Sequence, residues 1–463
     1  MTRSLIAALM VAFMAPPLGA ADRPHVVVFL ADDLGYADCP PAGGTAPPTP
    51  NMIRLARAGM AFTQACVASP SCAPSRAALL TGVDPARNGS MLNHAAPRKD
   101  VRAWPAYFAA LGYETAAVGK VAHYAQVKQY GFDHASHFNY HQDDCVEAAV
   151  KWLAGRASDK PLCLLVGTNW PHVPWPEKGW GDGGRAALGP RLVDTPETRA
   201  AVARYRAAVA NADRDLGLVY DAARKALGDN VLFAFTSDHG AQFPGGKWNL
   251  YDAGVRTPLV VAWPGHVKPG TASDALVTWT DLLPTFLEAA GGTPPAVGTG
   301  KGEVSGRSFL AVLKGDAKEH REHQFLTHSG DGAMNRYPMR GVRTRGWKYV
   351  RNLDPDAEYH SHVDLGRNPK GDGREYWDSW VEKAKSDPSA AGAIKAYHTR
   401  PPEELYDLAA DPAEARNLAA DPAHAETLKK FRATLDGWMK ANGDDGLKTE
   451  RGLQAAPPRA GGK

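Results

Sequence analysis

Two pairs of adjacent polar residues follow short apolar runs in this sequence. Asp32 and Asp33 come directly after HVVVFLA, and Asp238 and His239 come directly after NVLFAFTS. Carboxylate oxygens are the preferred ligands of Ca²⁺ and Mg²⁺, whereas zinc sites draw mainly on cysteine and histidine. The two pairs together predict a site for one hard divalent cation. Each pair alone is equally typical of the polar turn that ends a strand.

Lys120 and His172 also stand at the ends of apolar runs, after ETAAVG and within PLCLLVGTNWPH. The carboxyl ends of strands in an open parallel sheet share one edge, and ligands bind in the crevice outside it. These residues are therefore expected to converge although they are far apart along the chain. Alone, such a lysine is more typical of the surface, and such a histidine of a loop.

Cys72 and Arg76 lie in the stretch SPSCAPSRAALLTG. The run from Ser75 to Leu80 predicts a helix with Pro74 in its first turn, which places Cys72 just before a helix N-terminus. Free N–H groups there favour bound anions, and Arg76 adds a permanent positive charge. The catalytic loop of a thiolate phosphatase does not fit this stretch, because the cysteine and arginine of such a loop are further apart than Cys72 and Arg76. Alone, Cys72 is typical of a buried structural cysteine.

Apolar runs alternate with helical patterns along most of the chain. Near-continuous apolar runs predict strands buried on both faces, and the alternation predicts an α/β fold with a large, mostly parallel sheet between helices. The predicted strands are 25–33, 114–120, 161–172, 230–240 and 257–265. The predicted helices are 49–60, 75–82, 102–111, 143–156, 195–227 and 275–290.

Residues 291–306 are rich in glycine and proline and predict a joint. It separates a catalytic domain over 22–300 from a C-terminal α+β subdomain over 301–445. Residues 446–463 are expected to form a disordered tail.

Within the subdomain, 337–352 predicts an antiparallel hairpin with its turn near Arg345 and Gly346. The segment 404–419 predicts a strand, a turn and the start of a helix. Polar, glycine-rich residues over 354–376 predict a surface loop.

Arg3 precedes an apolar run from Leu5 to Ala15, and small residues follow up to Ala21. This pattern predicts a secretory signal peptide over 1–21, and hence an exported protein, periplasmic or secreted. No cysteine follows the predicted cleavage site, and no later apolar run approaches the length of a membrane span, so neither a lipid anchor nor a transmembrane anchor is expected.

The chain has 53 Lys and Arg against 50 Asp and Glu, a formal charge of +3. This balance gives no reason to expect nucleic acid as a partner. The chain has four cysteines besides Cys72. Export makes disulfides among these four possible, and the sequence leaves their pairing open. These cysteines are Cys39, Cys66, Cys145 and Cys163.

The stretch CAPSRAALLTG resembles the C-x-P-S-R signature of the formylglycine-dependent sulfatases, a family of the alkaline-phosphatase-like superfamily. Similar segments occur in order over essentially the whole mature chain: ADD, GKVAH, NWPHVPW, TSDHG, GKWNLYDAGVRTPL and ELYDLAADPAEARNLA. The C-terminal region resembles the N-sulfoglucosamine sulfohydrolase branch. Related phosphoesterases share TSDHG, so the ordered series carries the resemblance.

The resemblance implies that a formylglycine-generating maturation enzyme oxidises Cys72 to formylglycine (3-oxoalanine), which hydrates to a gem-diol. It also implies one divalent cation, usually Ca²⁺. The implied ligands are Asp32, Asp33, Asp238, His239 and the oxygen of converted Cys72. Many relatives have asparagine where this chain has His239, which makes calcium less certain than a divalent cation in general.

The resemblance further implies a sulfated carbohydrate substrate and six catalytic residues. The cation and Arg76 would hold one hydroxyl of the diol as the nucleophile, and Lys120 and Lys247 would neutralise sulfate oxygens. His172, with Lys247, would protonate the departing oxygen. His123 would take the remaining diol proton, so that sulfate leaves and the aldehyde returns. The six residues are Cys72, Arg76, Lys120, His123, His172 and Lys247.

Substrate-binding residues are harder to assign. His94 and Arg98 follow the signature helix, and Tyr337, Arg340 and Arg343 lie in the predicted hairpin. All five are candidates for contacting the sugar. The hairpin residues are equally explained by a surface position and an ion pair between domains. The sugar, the sulfate position, and the choice between O- and N-sulfate stay open.

Two other functions compete with a sulfatase. A phosphate mono- or diester hydrolase of the same fold would have a serine or threonine nucleophile and a second metal with added histidines, and Cys72 argues against it. A non-catalytic pseudo-sulfatase would bind sulfated glycans, but every catalytic position is filled.

Overall fold

The computed structural model describes residues 23–42, 49–138, 144–180, 188–366 and 373–455. The predicted signal peptide lies outside these residues. Among the described helices, none combines the length and apolar character that a membrane crossing requires.

Eight strands form the central sheet, and the side chains of its six inner strands are almost all buried. In spatial order they are His134–Ser136 (β5), Glu114–Gly119 (β4), Leu162–Gly167 (β6), His25–Ala31 (β1), Val231–Ser237 (β7), Leu259–Ala262 (β8), Met60–Phe62 (β2) and Thr271–Ser273 (β9).

The sheet is mostly parallel, as predicted. β1 pairs in parallel with β6 and β7, and β4 pairs in parallel with β5 and β6. β8 departs from this pattern, because it runs antiparallel to both β7 and β2. Val26, Val27, Val28, Phe29 and Leu30 of β1 are fully buried, as expected for a strand with helices on both faces.

The sheet lies between two layers of helices, which confirms the α/β prediction. The helices of this part are Pro50–Ala58 (α1), Cys72–Thr81 (α2), Pro85–Asn88 (α3), Trp104–Ala109 (α4), Asp144–Gly155 (α5), Pro196–Leu227 (α6), Asp252–Val255 (α7), Leu282–Ala289 (α8) and Leu310–Lys314 (α9).

Two predicted helix boundaries were wrong. The signature helix α2 begins at Cys72 and not at Ser75, since Ser71 already has the extended conformation of an N-cap residue. The helix predicted over 275–290 is confined to α8. Residues before it form Val277–Thr278 (β10), which pairs with Ala65–Cys66 (β3), and a 3₁₀ turn.

A four-stranded antiparallel sheet follows toward the C-terminus. Its strands in order are Gln324–His328 (β11), Met339–Arg343 (β12), Trp347–Asn352 (β13) and Glu403–Asp407 (β14). β12 and β13 form the predicted hairpin. Its helices are His362–Leu365 (α10), Arg374–Ala384 (α11), Pro388–His398 (α12), Ala425–Ala441 (α13) and Leu447–Ala455 (α14).

Three expectations for this region need correction. No helix begins within 404–419; the helix that packs on the small sheet is α13. Residues 354–376, where described, include the buried Tyr359 and Tyr376 and are not a simple surface loop. Residues 447–455 of the predicted tail form α14, while 456–463 lie outside the described residues. The domain boundary near 300 stays a prediction.

All five cysteines lie among the described residues and are buried, and the structure joins none of them in a disulfide. The structure therefore shows no disulfide among the four cysteines for which export made disulfides possible. Cys163 lies inside β6, where its Sγ accepts a hydrogen bond from the Trp104 indole. Burial raises the pKa of this thiol, which is typical of an unreactive core cysteine.

Candidate functional site

Three strands bring charged side chains to the carboxyl edge of the main sheet. The register of β1 and β7 places Ala31 opposite Ser237, so the residues that follow each strand are neighbours. The backbone N–H of Asp33 donates to Asp238 Oδ1 at 3.0 Å. The strand ends therefore meet as the sequence predicts, because parallel strands end at a common edge.

Arg76 lies between two carboxylates, and its side chain is completely buried. Nη2 donates to Asp32 Oδ1 at 3.0 Å, and Nε donates to Asp238 Oδ2 at 2.9 Å. Lys120 Nζ pairs with the other Asp32 oxygen at 2.5 Å. Burial alone would raise the pKa of Asp32, but Lys120 and the neighbouring cations hold it well below its usual range.

Lys247 contacts both carboxylate oxygens of Asp33, at 3.0 and 2.9 Å from Nζ. His172 and His239 approach the same carboxylate, with nitrogen–oxygen distances of 3.8 and 3.4 Å. Burial opposes a charged lysine, but Asp33 raises the pKa of Lys247 above its usual value. Lys247 is therefore a permanent cation at this edge.

Two glycines permit this close arrangement. Gly119, directly before Lys120, has a φ of 81°, and a Cβ there would collide with the carbonyl oxygen of Gly167. Gly240, directly after His239, passes as closely to the carbonyl oxygen of Ala253. Any side chain would push these strand ends apart.

Cys72 occupies the first turn of α2 and is 2% exposed. Its Sγ lies 3.3 Å from His239 Nε2. Burial would raise the pKa of this thiol, but Lys247, Lys120 and His239 bring it below its usual value. The surroundings thus favour negative charge on the side chain at position 72, unlike those of Cys163.

The charged residues and Cys72 form what we call the floor of the site. Its members are Asp32, Asp33, Cys72, Arg76, Lys120, Asp238, His239 and Lys247. Three carboxylates face three permanent cations, so their formal charges cancel. An added divalent cation would make the floor positive and favourable for an anion.

The donor atoms of the floor fit one hard divalent cation. Ligating atoms of Asp33, Cys72, Asp238 and His239 all lie within 4.8 Å of one another. Two carboxylates, one imidazole and an oxygen at position 72 are ligands that such a cation accepts. The Asp32 oxygens are engaged by Arg76 and Lys120, so its role as a ligand stays a prediction.

A cavity of about 270 Å³ opens above Cys72. Its walls include His123 and His172 as well as Lys247 and a set of residues that we call the rim. The rim consists of Asn93, His94, Tyr124, Gln242, Trp248, Asp331 and His362. The indole of Trp248 stacks on the His362 ring, with the centroids 4.7 Å apart.

Positive φ angles concentrate around this cavity. Among the described residues, five non-glycine residues have positive φ, and four of them belong to the floor or the rim: Asp33 (68°), His94 (67°), Tyr124 (51°) and Trp248 (65°). Such conformations cost about 1–3 kcal/mol each and cluster at functional sites. The rest of the fold therefore maintains a strained backbone at this place.

Both histidines that are predicted to be catalytic, His123 and His172, are held neutral. Burial, followed by the charges of Lys247 and Lys120, lowers the pKa of His172 well below its usual value. Burial, His94 and Lys120 do the same for His123. A neutral His123 is ready to accept a proton, whereas His172 gains one only when negative charge arrives beside it.

Four candidates from the sequence do not reach the cavity. Tyr337 is fully buried against Tyr359 in the core. Arg340 is fully buried between Asp444 and Glu450, so both substrate-binding assignments were wrong. Two more arginines are engaged elsewhere: Arg98 pairs with Asp100 at the surface, and Arg343 forms a buried ion pair with Asp252 that links the two sheets.

The structure adds residues that sequence analysis missed. Trp248 lies within the segment GKWNLYDAGVRTPL and Tyr124 directly follows GKVAH, so their place in or next to these segments was a usable signal. Asp331 and His362 come from the C-terminal region, where no apolar run or motif marks them. Of the predicted substrate-binding residues, His94 is the one that the structure places at the rim.

Comparison with known proteins gives family matches over most of the chain. A family model described as Sulfatase matches residues 24–292, and a model described as N-sulphoglucosamine sulphohydrolase, C-terminal, matches residues 245–386. The first match includes every floor residue.

Two curated relatives match over nearly the full length. An ulvan-active sulfatase of Formosa agariphila is 30% identical over 438 residues, covering 92% of this chain and 81% of the relative. The N-sulphoglucosamine sulphohydrolase of Homo sapiens is 30% identical over 462 residues, covering 90% and 89%. A solved structure in complex with its substrate D-glucosamine-2-N,6-O-disulfate shares the fold, with a TM-score of 0.69, 19% identity and coverage of 91% and 99%.

Proposed function

Because the chain belongs to the sulfatase family, we propose that it is an exported carbohydrate sulfatase whose nucleophile derives from Cys72. The position of Cys72 supports this proposal most directly. It is buried at the base of a cavity, beside His239 and among charges that favour an anion. An ordinary structural cysteine would have apolar neighbours, as Cys163 does.

The proposed site includes two groups that the chain must acquire. Formylglycine at position 72 would supply, as its hydrate, an oxygen nucleophile with a second hydroxyl. One divalent cation, Ca²⁺ by our assignment, would be held by Asp33, Asp238, His239 and the residue-72 oxygen, with Asp32 beside them, and would supply positive charge to stabilise oxyanions.

Arg76 has an orienting role in this proposal. It is fully buried, and its guanidinium N–H groups donate to Asp32, to Asp238 and to the carbonyl oxygen of Lys120. It therefore fixes the orientation of these two carboxylates. Lys247, which lines the cavity, is the better placed cation for a sulfate oxygen.

His172 is the proposed proton donor to the leaving group. Its Nδ1 lies 2.6 Å from the carbonyl oxygen of Val173, which requires the proton to be on Nδ1. The other nitrogen, Nε2, then has the lone pair that gains a proton and passes it on. A bound sulfate would raise the low pKa of this ring, since negative charge favours the imidazolium form.

For the substrate we propose a sulfated saccharide, with a sulfated amino sugar as the first choice. The C-terminal family match and the human relative support that choice. The ulvan-active relative supports an O-sulfated algal saccharide as the second. Both fit a cavity whose rim has many hydrogen-bonding groups and one aromatic stack.

The experiment combines maturation and turnover. The protein is produced with and without a formylglycine-generating enzyme, and the peptide containing Cys72 is weighed by mass spectrometry. Both forms are assayed on N- and O-sulfated saccharides and on matched aryl sulfate and aryl phosphate esters. We expect turnover of sulfates by the converted form alone.

The matched controls are Cys72→Ala and Cys66→Ala, which remove one buried thiol each. The first should lose all turnover and the second should keep it. Activity of unconverted protein or of Cys72→Ala would overturn the proposal. Preference for the phosphate ester would identify a phosphoester hydrolase, and binding of sulfated saccharide without turnover by converted protein would identify a pseudo-sulfatase.

A further inference from the structure

A carboxylate and two histidines form a hydrogen-bonded row along one wall of the cavity. His94 Nε2 lies 3.2 Å from Asp331 Oδ1. His94 Nδ1 lies 2.7 Å from His123 Nε2. The remaining ring nitrogen of His123, Nδ1, is buried and has no hydrogen-bond partner among the described residues. The row therefore ends at an unused nitrogen in the site.

The direction of these hydrogen bonds follows from the chemistry of the groups. An ionised carboxylate only accepts, so His94 Nε2 must donate to Asp331. A neutral His94 then has a lone pair on Nδ1 and must accept from His123 Nε2. A neutral His123 with its proton on Nε2 has its lone pair on Nδ1. Asp331 thereby selects the tautomer of a ring that it does not touch.

Backbone and side-chain hydrogen bonds of Asn93 and Gln126 hold this row in place. The N–H of Asn93 donates to the carbonyl of Gly330 at 3.0 Å, and its side-chain amide donates to Asp331 Oδ2 at 2.9 Å. Gln126 Nε2 donates to the carbonyl oxygen of His94 at 2.9 Å. The positive φ of His94 is part of the same arrangement.

We propose that His94 and Asp331 are positioning residues that keep His123 in the tautomer with its lone pair on Nδ1, ready to accept a proton. This rests on the proposed function, in which His123 removes the proton of the residue-72 hydrate. When Nδ1 gains that proton, Nε2 keeps its own, and His94 stabilises the resulting imidazolium by accepting from it. The arrangement resembles the role of aspartate behind the histidine of a serine hydrolase.

The charges around the row set the pH range of this arrangement, because His94 accepts from His123 only when it is neutral, at a pH above its own pKa. Asp331, Lys120 and the side chain at position 72 act on the pKa of His94, and the His123 ring contacts it. The hydrogen bond to Asp331 raises the pKa of His94, in spite of burial. Asp331 itself stays ionised, since His94 and its neighbours outweigh the effect of burial and lower its pKa.

The direct test is ¹⁵N NMR of histidine-labelled protein, with the His123 signals assigned from the His123→Gln variant. We expect a proton on Nε2 and none on Nδ1 in the wild type. In Asp331→Ala and His94→Leu we expect the signals of a tautomer mixture. A wild-type ring protonated on Nδ1 would overturn the proposal, whatever the activity of the enzyme.

Kinetics of converted protein give a second test. His94→Leu should lower kcat about 10- to 100-fold, as expected for loss of a group that orients another. His94→Gln keeps an acceptor for His123 Nε2 and should recover part of that loss. The double variant His94→Leu/His123→Ala should be no slower than His123→Ala alone, because the two residues act as a unit.

The outcomes separate this proposal from the function on which it depends. Additive losses in the double variant, or a loss confined to KM, would assign His94 to substrate binding and overturn the positioning role. If no variant and no wild-type preparation turns over a sulfate ester, the proposed function fails, and the NMR result still decides the tautomer.

Discussion

The floor and the rim of the site differ in how their residues are held. Floor side chains are almost completely buried and bonded to one another in ion pairs. Rim side chains come from loops and short helices; Gln242, Trp248 and Asp331 are buried, but His94 exposes 61% of its side chain. A buried charge that loses its partner is costly, whereas an exposed ring can be replaced cheaply. The floor therefore ties chemistry to stability, whereas the rim residues outside the row of His94 and Asp331 can vary with the substrate.

Arg76→Lys should have the largest effect, because lysine cannot bridge Asp32 and Asp238 at once. We expect a loss of at least about 100-fold in kcat/KM. The free energy of unfolding should fall by about 3 kcal/mol, since one buried carboxylate loses its partner. Kinetics and urea unfolding measure the two effects. Unchanged stability would contradict the coupling that distinguishes the floor.

Removal of the metal tests whether the floor holds its fold by itself. Chelation with EGTA should abolish turnover and leave the protein folded, because the floor's formal charges already cancel. Stability should drop only by the ligand contribution, about 2.7 kcal/mol at a metal concentration of 100 Kd. Circular dichroism, thermal unfolding and recovery with Ca²⁺ check this. Global unfolding on chelation would show that the cation is structural.

His362→Ala tests the rim. The variant loses the stack on Trp248, and an aromatic pair contributes about 0.5–1.5 kcal/mol. We expect KM for a sulfated saccharide to rise about 2- to 10-fold with little change in kcat. An aryl sulfate that does not reach the rim serves as the control substrate, and its kinetics should not change. A fall in kcat for both substrates would place His362 in the catalytic machinery.

Arg98→Ala should have the smallest effect. The guanidinium pairs with Asp100 and with the carbonyl oxygen of Arg87, and it does not line the cavity. Stability should change by less than about 0.5 kcal/mol, and kcat and KM should match the wild type. Saccharide kinetics and thermal unfolding are sufficient. A raised KM would show that Arg98 contacts the substrate and that the substrate site extends beyond the cavity.

The floor and the rim also differ in how many of their residues the sequence alone identified. Most floor residues lie at strand ends or in the first turns of one helix, so local patterns and the common carboxyl edge of parallel strands located them. Lys247 lies in a loop and came from the family resemblance. Tyr337 and Arg340 were misplaced because a hairpin pattern does not say which face is buried. Arg340 turns inward to Asp444 and Glu450, and Glu450 lies in a segment predicted to be disordered.

The sequence by itself therefore determined the sheet, the signature helix and the charged floor, since strand patterns, one helical motif and the shared carboxyl edge of parallel strands place these residues together. Only the tertiary structure decided the rim. Asn93 contacts Asp331 across a separation of 238 residues. No local sequence pattern around either residue predicts this contact. Side chains that meet in this way depend on how two sheets pack, and packing is a property of the whole fold.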